Sequence, residues 1–192
     1  MFRFALVSIF ALALAACSPS GRDLDEPAVP LGDFKLGHNV VVAPKAVRGP
    51  LSRKASEKEL TSSLTEAIAA RFDRYEGEKL YHFGVSVEGY VLAAPGVPLV
   101  YSPKSIMIIN VTVWDDAANR KLNEKPEQIT VFESLSGETI ISSGLTQSRQ
   151  QQLENLSINA AKQIELFLQT KMKEEGWFGA EIEETIIEET TR

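Results

Sequence analysis

The sequence predicts an α+β domain in which two helices pack on one face of an antiparallel or mixed sheet of three to five strands. Two segments predict the helices, because each places apolar residues at helical spacing behind a capping box. Four further segments have the alternation or the β-branched composition of strands. The order along the chain is β-α-β-β-β-α. Since a sheet must bury an apolar face against another layer, we expect both helices on the same face.

Each predicted helix begins at a serine that has a glutamate or a glutamine three positions later. Ser56 and Glu59 form the first pair, and Ser148 and Gln151 form the second. The first helix is predicted over residues 56–76, with the apolar stripe Leu60, Leu64, Ala67, Ile68 and Phe72. The second is predicted from about residue 146 or 148 to Gly176, with the stripe Leu153, Leu156, Ala160, Ile164 and Phe167.

The four strands are predicted, in chain order, over residues 34–43, 83–92, 105–114 and 127–133. The second strand alternates apolar and polar residues, and Gly89 marks an expected bulge. The third is almost wholly apolar or β-branched, which predicts a central strand that is covered on both sides for part of its length. The fourth is expected to pair with it as an antiparallel hairpin, because residues 115–120 have the chemistry of a turn.

The amino end has the pattern of a signal peptide. Arg3 precedes an apolar run over residues 4–16, and Cys17 follows directly. The run is shorter than the roughly 20 residues that a membrane-spanning helix needs. The four residues Leu14-Ala15-Ala16-Cys17 resemble the lipobox of bacterial lipoproteins. This resemblance implies cleavage of residues 1–16 and lipidation of Cys17. The alternative is an ordinary secretory signal that is cleaved after Ala16.

Cys17 is the only cysteine, so it has no disulfide partner within the chain. Lipidation would attach the protein to a membrane through its N-terminal acyl chains, and an anchor of more than one acyl chain is stable. By analogy with the sorting of enterobacterial lipoproteins, Ser18 favours the outer membrane. We therefore expect a lipid-anchored protein at the periplasmic face of the outer membrane.

Composition divides the rest of the chain. Residues 17–32 are rich in proline and charge, which predicts a lipidated cysteine followed by a flexible tether. Residues 33–178 are predicted as a single α+β domain and residues 179–192 as an acidic tail. The net charge of −6 and the lack of clustered Lys and Arg argue against nucleic acid as a partner.

The order of lipobox, proline-rich tether and strand-helix-strands-helix over residues 33–178 resembles the small periplasmic lipoproteins that assist outer-membrane assembly, such as the lipopolysaccharide-assembly lipoprotein. The stretch over residues 132–161 also resembles uncharacterised alphaproteobacterial lipoproteins. These resemblances imply an envelope lipoprotein, and they carry no binding residue over to this chain.

Residues that could perform chemistry are few. The two histidines, His38 and His82, together with an acylated Cys17, offer too few ligands for a zinc or iron site. Asp115 and Asp116 are adjacent, but the sequence that follows them favours a turn over an acid-base pair. The sequence contains no nucleophile elbow, phosphate loop or dinucleotide fingerprint. We therefore expect neither an enzyme nor a metal or cofactor.

Two apolar groups are candidates for contact with a partner. The first comprises Val97, Leu99, Val100 and Tyr101 in the loop at residues 92–103. This loop either folds over the open sheet face or an edge, or forms an exposed patch. The second comprises Trp177 and Phe178, which either fold back onto the core or present an aromatic anchor.

These expectations combine into a non-enzymatic binding or envelope-assembly module whose partner is an envelope protein or an acyl ligand. The alternative is a structural envelope lipoprotein with no dedicated ligand. The two differ in whether apolar area remains exposed after folding.

Overall fold

A computed structural model describes residues 22–94, 104–133 and 147–179 of the chain. Its elements in chain order are β1 (Lys35–Val42), β2 (Val47–Arg48), α1 (Glu57–Phe72), β3 (Leu80–Val91), β4 (Ile106–Asp115), β5 (Arg120–Lys121), β6 (Glu127–Phe132), α2 (Arg149–Glu175) and a 3₁₀ turn (Trp177–Gly179). The fold is α+β, and the long elements confirm the predicted order. The sheet has six strands, more than the three to five predicted, because β2 and β5 add two residues each.

The sheet is mixed, with β3 and β4 at its centre. β1 runs parallel to β3, since α1 carries the chain back to the starting edge between them. β3 and β4 are antiparallel, and β4 and β6 form the predicted antiparallel pair. The register of β3 on β4 shifts between Val87 and Gly89, which confirms the expected bulge.

Both predicted capping boxes are present. The Ser56 hydroxyl accepts a hydrogen bond from the backbone N–H of Glu59, and the Glu59 carboxylate accepts one from the backbone N–H of Ser56. Ser148 and Gln151 form the same reciprocal pair at the start of α2. α2 ends at Gly176, whose φ of 67° gives the left-handed cap that glycine adopts readily.

α1 ends at Phe72, four residues before the predicted end. The backbone N–H of Gly77 donates to the carbonyl of Phe34 at 3.0 Å, and a Cβ at Gly77 would lie 2.5 Å from backbone atoms of Phe34. Gly77 therefore does not cap the helix. Its lack of a side chain allows its backbone to lie close to the backbone of Phe34.

The two helices run side by side in the same direction on one face of the sheet. Three pairs along their length show this alignment: Glu59 with Arg149, Ser63 with Ser157, and Arg71 with Glu165. The core between helices and sheet includes Leu60, Leu64 and Ile68 of α1, Phe83, Val85 and Val87 of β3, Met107, Ile109 and Val111 of β4, and Leu156, Ala160 and Ile164 of α2. The helices form a layer, called here the helix layer, that covers one face of the sheet.

Trp177 and Phe178 are buried, with 6% and 2% of their surface exposed. The Phe178 ring packs edge-on against Phe34 and Tyr81, with ring centroids 5.1 and 4.7 Å away. Of the two alternatives for these residues, the structure shows the one in which they fold back onto the core, and neither ring is presented to a partner. The rings instead close the end of the core below α2, because the left-handed turn at Gly176 returns the chain to the sheet.

Residues 22–32 of the predicted flexible tether are described by the structure, and some of them contact the domain. Leu31 is 1% exposed and belongs to the core. Asp23 bonds to side chains of both helices. Residues 22–31, called here the strap, are fixed along the helix layer by contacts that composition alone does not reveal.

Candidate functional site

The sheet face opposite the helix layer has no covering element in the described residues. Paired residues on neighbouring strands point to the same face, so the strand register defines its rows. We call the part of this surface between Gly84 and Val91 of β3 the open face, and its members are Val40 and Val42 of β1, Val47 of β2, Gly84, Ser86, Glu88, Gly89 and Val91 of β3, Ile106, Ile108, Asn110 and Thr112 of β4, and Gln128, Thr130 and Phe132 of β6. The next row, beyond Gly84, consists of His82, Trp114 and Lys121.

Apolar side chains lie at both edges of the open face. Val40 and Val42 are 55% and 44% exposed on β1, and Phe132 is 58% exposed on β6. Phe132 is in register with Ile106 of β4, which is itself half-buried beside Val91 of β3. One end of the face is therefore apolar across three strands, a property that marks contact surfaces in soluble domains.

The centre of the open face has small side chains and one carboxylate, that of Glu88. Gly84 is in register with Val40 on one side and Thr112 on the other, and a Cβ at Gly84 would have no atom within 4 Å. Ser86 and Asn110 form the next row. The adjacent Glu88 accepts a hydrogen bond from the Ser86 hydroxyl at 2.5 Å. Small side chains and a carboxylate favour a protein surface over a phosphate-rich ligand.

His38, His82 and Asp116 meet at one end of the sheet. The His82 Nε2 lies 3.0 Å from the Asp116 carboxylate, and the backbone N–H of His38 donates to the His82 Nδ1 at 2.7 Å. The accepting nitrogen of the ring is therefore already occupied, and the proton lies on the nitrogen that faces Asp116. A general base needs a free lone pair toward its substrate, so this arrangement fixes the irregular part of β1 and does not constitute a catalytic pair.

The turn predicted at Asp115 and Asp116 is confirmed. The Asp115 carboxylate accepts from the backbone N–H of Ala118 at 2.9 Å, and the backbone N–H of Asn119 donates to the Asp116 carbonyl. Both carboxylates have neighbours that satisfy them within the turn and its flank.

A buried group of charges joins the two helices to the strap. Arg71 and Glu165 are 1% and 0% exposed and lie 2.9 Å apart, and Lys162 contacts the Glu165 carboxylate at 2.6 Å. Asp23 reaches Arg71 at 2.5 Å and Lys162 at 2.7 Å. The hydroxyl of Tyr75 donates to Glu165. We call these five residues the charge cluster. Its two cations balance its two carboxylates.

The pKa values of the charge cluster follow from this balance. Burial opposes ionisation of Asp23, but hydrogen bonds from Arg71 and Lys162 outweigh it and lower the pKa of the carboxyl to about 2. Burial likewise opposes the charge on Lys162, yet its bonds to Asp23 and Glu165 raise its pKa. Burial and the neighbouring Glu165 raise the pKa of the Tyr75 hydroxyl. The shifts of Asp23 and Lys162 both favour the charged forms near neutral pH, as expected of an ion pair that holds elements of the fold together.

Two concavities lie outside the open face. A groove of about 490 Å³ runs between α1 and α2 on the outer side of the helix layer, lined by Leu24, Ser62, Glu66, Ala70, Glu154 and Ile158 among others. A second of about 620 Å³ lies beside Trp177 and Phe178, with Lys79, Asp115, Arg120 and Glu175 at its rim. Both are shallow and mixed in charge, so neither has the enclosed apolar lining of an acyl-chain site.

Only some of the predicted site residues lie in the part of the chain that the structure describes. Cys17, Val97, Leu99, Val100 and Tyr101 lie outside the described residues. Trp177 and Phe178 are placed in the core. The charge cluster was not foreseen, and its only sequence signal is that Arg71, Lys162 and Glu165 occupy inward positions of otherwise apolar helix faces.

Within the described ranges, no group of three or more His, Cys, Asp or Glu is arranged to hold a metal ion. Over the same ranges, no helix combines the length and the apolar character needed to cross a bilayer.

Comparison with known proteins found no matching protein-family model and no matching curated protein. A DUF330 protein of Xanthomonas campestris is similar at a TM-score of 0.43 and 14% identity, over 76% of this chain and 91% of that one. A Caulobacter crescentus protein described as a lipoprotein is similar at a TM-score of 0.33 and 13% identity, over 74% of this chain and 91% of that one. A minor lipoprotein of Acinetobacter baumannii is similar at a TM-score of 0.30 and 15% identity, over 72% of this chain and 96% of that one. Similarities at this level carry no argument about family or function.

Proposed function

We propose that this chain is a lipid-anchored envelope protein, attached through Cys17, that binds another envelope protein through its open face and performs no catalysis. The observation that carries the binding role is the asymmetry of the sheet. One face is covered by the helix layer, while the other presents Val40, Val42 and Phe132 at 44–58% exposure with no described element above them.

The chemistry of the open face supports a protein as the partner. Its central rows hold glycine, serine, asparagine and threonine, which let another backbone or a flat side chain approach closely. Between Gly84 and Val91 it contains neither lysine nor arginine, the residues that would recognise phosphate groups, and Lys121 lies in the row beyond it, in register with Trp114. The occupied ring nitrogen of His82 supports a non-catalytic role.

The anchor is tested by replacing Cys17 with alanine in the exported chain. We expect the native protein to carry an acylated N-terminal cysteine and to sediment with membranes, and we expect Cys17→Ala to be released into the soluble periplasmic fraction. Separation of inner and outer membranes then tests the expected outer-membrane location. An unmodified Cys17 thiol in the mature native protein would contradict the anchor.

The binding role is tested by photo-crosslinking from the open face in intact cells. A photoreactive residue at Thr112 should give one adduct of defined mass, whereas the same residue at the exposed Ser62 of the helix layer should not. A Gly84→Lys substitution places a charge in the centre of the face without a steric clash and should abolish the adduct. Ser62→Lys is the matched control, with the same added charge on the other side of the molecule. If Thr112 yields no specific adduct, the structural alternative without a dedicated ligand is favoured.

A further inference from the structure

The strap is bound to the outer side of the helix layer. Arg22 donates to the side-chain carbonyl of Asn155 at 2.6 Å, and Arg74 donates to the backbone carbonyls of Leu24 and Glu26, both at 2.9 Å. Leu24 lines the groove between α1 and α2 together with exposed residues of both helices. Residues 22–26 of the strap therefore lie on the side of the helices that faces away from the sheet, and the strap enters the core at Leu31.

Asp23 fixes the first turn of the strap in place. Its two carboxylate oxygens contact Arg71 of α1 and Lys162 of α2, so the strap bridges both helices at once. Withdrawal of Asp23 would remove a carboxylate from beside two buried cations, Arg71 and Lys162. Such an imbalance in a poorly solvated site is costly, and it keeps the strap docked.

The distance from the anchor to the docked strap is short. Only five peptide units separate Cys17 from Arg22, and a fully extended chain spans at most about 3.6 Å per residue, which gives a reach of roughly 18 Å. A helix with its side chains is about 10 Å across, and a sheet packs about 10 Å from the layer beside it. The thickness of the domain alone therefore uses the whole reach, before any path around a sheet edge is counted.

We infer that the helix layer with its strap is the side of the domain that faces the membrane, and that the open face is directed away from the lipid. This inference rests on the proposed lipidation of Cys17. The partner of the helix layer is the bilayer surface, held near by the short connection. Exposed Glu66 and Glu154 in the groove disfavour insertion among anionic headgroups, so the layer lies close to the surface without penetrating it.

The orientation is measurable because Cys17 is the only cysteine, so an engineered cysteine carries the only free thiol once Cys17 is acylated. The purified lipidated protein is reconstituted into vesicles of phosphatidylethanolamine and phosphatidylglycerol that contain a nickel-chelating lipid. A nitroxide is attached at Gln150→Cys on the helix layer or at Val40→Cys on the open face, both exposed positions. Nickel at the headgroups should relax the label at position 150 several-fold more than the label at position 40.

Two further variants test whether the short connection and the docked strap cause the difference in relaxation between the two labels. About twelve glycine and serine residues inserted between Ser20 and Gly21 lengthen the connection without changing any described contact, and they should make the two labels relax alike. Asp23→Asn should reduce the difference in the same direction, with Asp25→Asn as a matched control that removes a carboxylate from an exposed residue of the strap.

The outcomes separate this inference from the proposed function. A chain that lacks acyl chains and does not float with the vesicles contradicts the lipid anchor and the orientation together. A chain that is acylated and floats, but whose labels relax equally in the native sequence, contradicts the orientation alone. A larger effect at position 40 than at position 150 reverses the assignment of the two faces.

Discussion

The carboxylate of Asp23 lies 2.5 Å from the guanidinium of Arg71, a residue that is itself 1% exposed. This contact joins a segment close to the predicted lipidation site to the interior of the helix pair. Through this contact residues 22–31 become part of the folded domain. The carboxylate of Asp23 also compensates the positive charges of Arg71 and Lys162, and this compensation can be tested by mutation.

Replacing Asp23 with asparagine should lower the free energy of unfolding by about 1–3 kcal/mol. The substitution keeps the shape of the side chain but removes a carboxylate charge that contacts both Arg71 and Lys162, and breaking one side of a buried ion pair is destabilising. Chemical denaturation of both proteins measures the difference. Asp25→Asn is the control and should change the free energy by less than about 0.5 kcal/mol, because Asp25 is exposed. Equal stability of all three proteins would show that Asp23 does not anchor the strap.

Acid should weaken the fold through the same carboxylate. Its pKa in the folded chain is about 2, below the ordinary value of 3.8. The stabilisation is therefore complete above about pH 4 and is lost as the pH falls toward 2. Because Asp23 is partly solvated, we expect its share of this loss to be about 1 kcal/mol. Denaturation at several pH values should show a shallower acid slope for Asp23→Asn than for the native chain, and parallel slopes would contradict the assignment.

Replacing Phe178 with glycine should destabilise the fold no more than replacing it with alanine. It is 2% exposed and has a φ of 60°, a conformation that glycine adopts more readily than phenylalanine. Phe178→Ala removes a buried ring and should cost about 3 kcal/mol. Phe178→Gly removes the same ring but relieves the backbone, so it should be no less stable than the alanine variant. Thermal unfolding compares the two, and a glycine variant that is less stable by about 1 kcal/mol would contradict the strained backbone.

Two glycines should respond in opposite directions to an added side chain. Gly84 on the open face has room for a Cβ, so Gly84→Val should stabilise the strand by roughly 0.5–1 kcal/mol. At Gly77 a Cβ would lie 2.5 Å from backbone atoms of Phe34, so Gly77→Ala should cost roughly 1–3 kcal/mol. Denaturation curves test both. A destabilised Gly84→Val would indicate that another part of the molecule covers the open face.

The local structure was largely predictable, because its signals lie within a few residues of one another. Both capping boxes and the glycine end of α2 were read from short spacings and are confirmed. The bulge near Gly89 and the pairing of β4 with β6 are confirmed for the same reason.

Contacts between distant residues could not be derived in this way. Asp23 meets Arg71 across 48 positions and Lys162 across 139, and no local pattern links them. Composition predicted a flexible segment over residues 17–32, because it reflects the number of prolines and charges. It does not show which distant residues those charges contact in the folded protein. The end of α1 was placed too late for a related reason, because Gly77 serves a tertiary contact with Phe34.

The candidate site was predictable only as a consequence of the fold. Two helices on one face of a sheet leave the other face open, and this followed from the order of elements. Which residues occupy that face depended on the register, which the sequence does not state. The exposed Val40 and Phe132 were found only when the pairing of β1 with β3 and of β4 with β6 was known.

The binding role of the open face is tested most directly by the labelling rate of a single cysteine at position 112. Thr112→Cys is labelled with a membrane-impermeant maleimide in opened native envelopes and, separately, in the purified lipidated protein, with Glu124→Cys in the exposed segment between β5 and β6 as the control. We expect labelling at position 112 to be at least about tenfold slower in envelopes than in the purified protein, while position 124 is labelled at similar rates in both. Equal rates at position 112 would show that nothing occupies the open face in the envelope, and would contradict the proposed binding role.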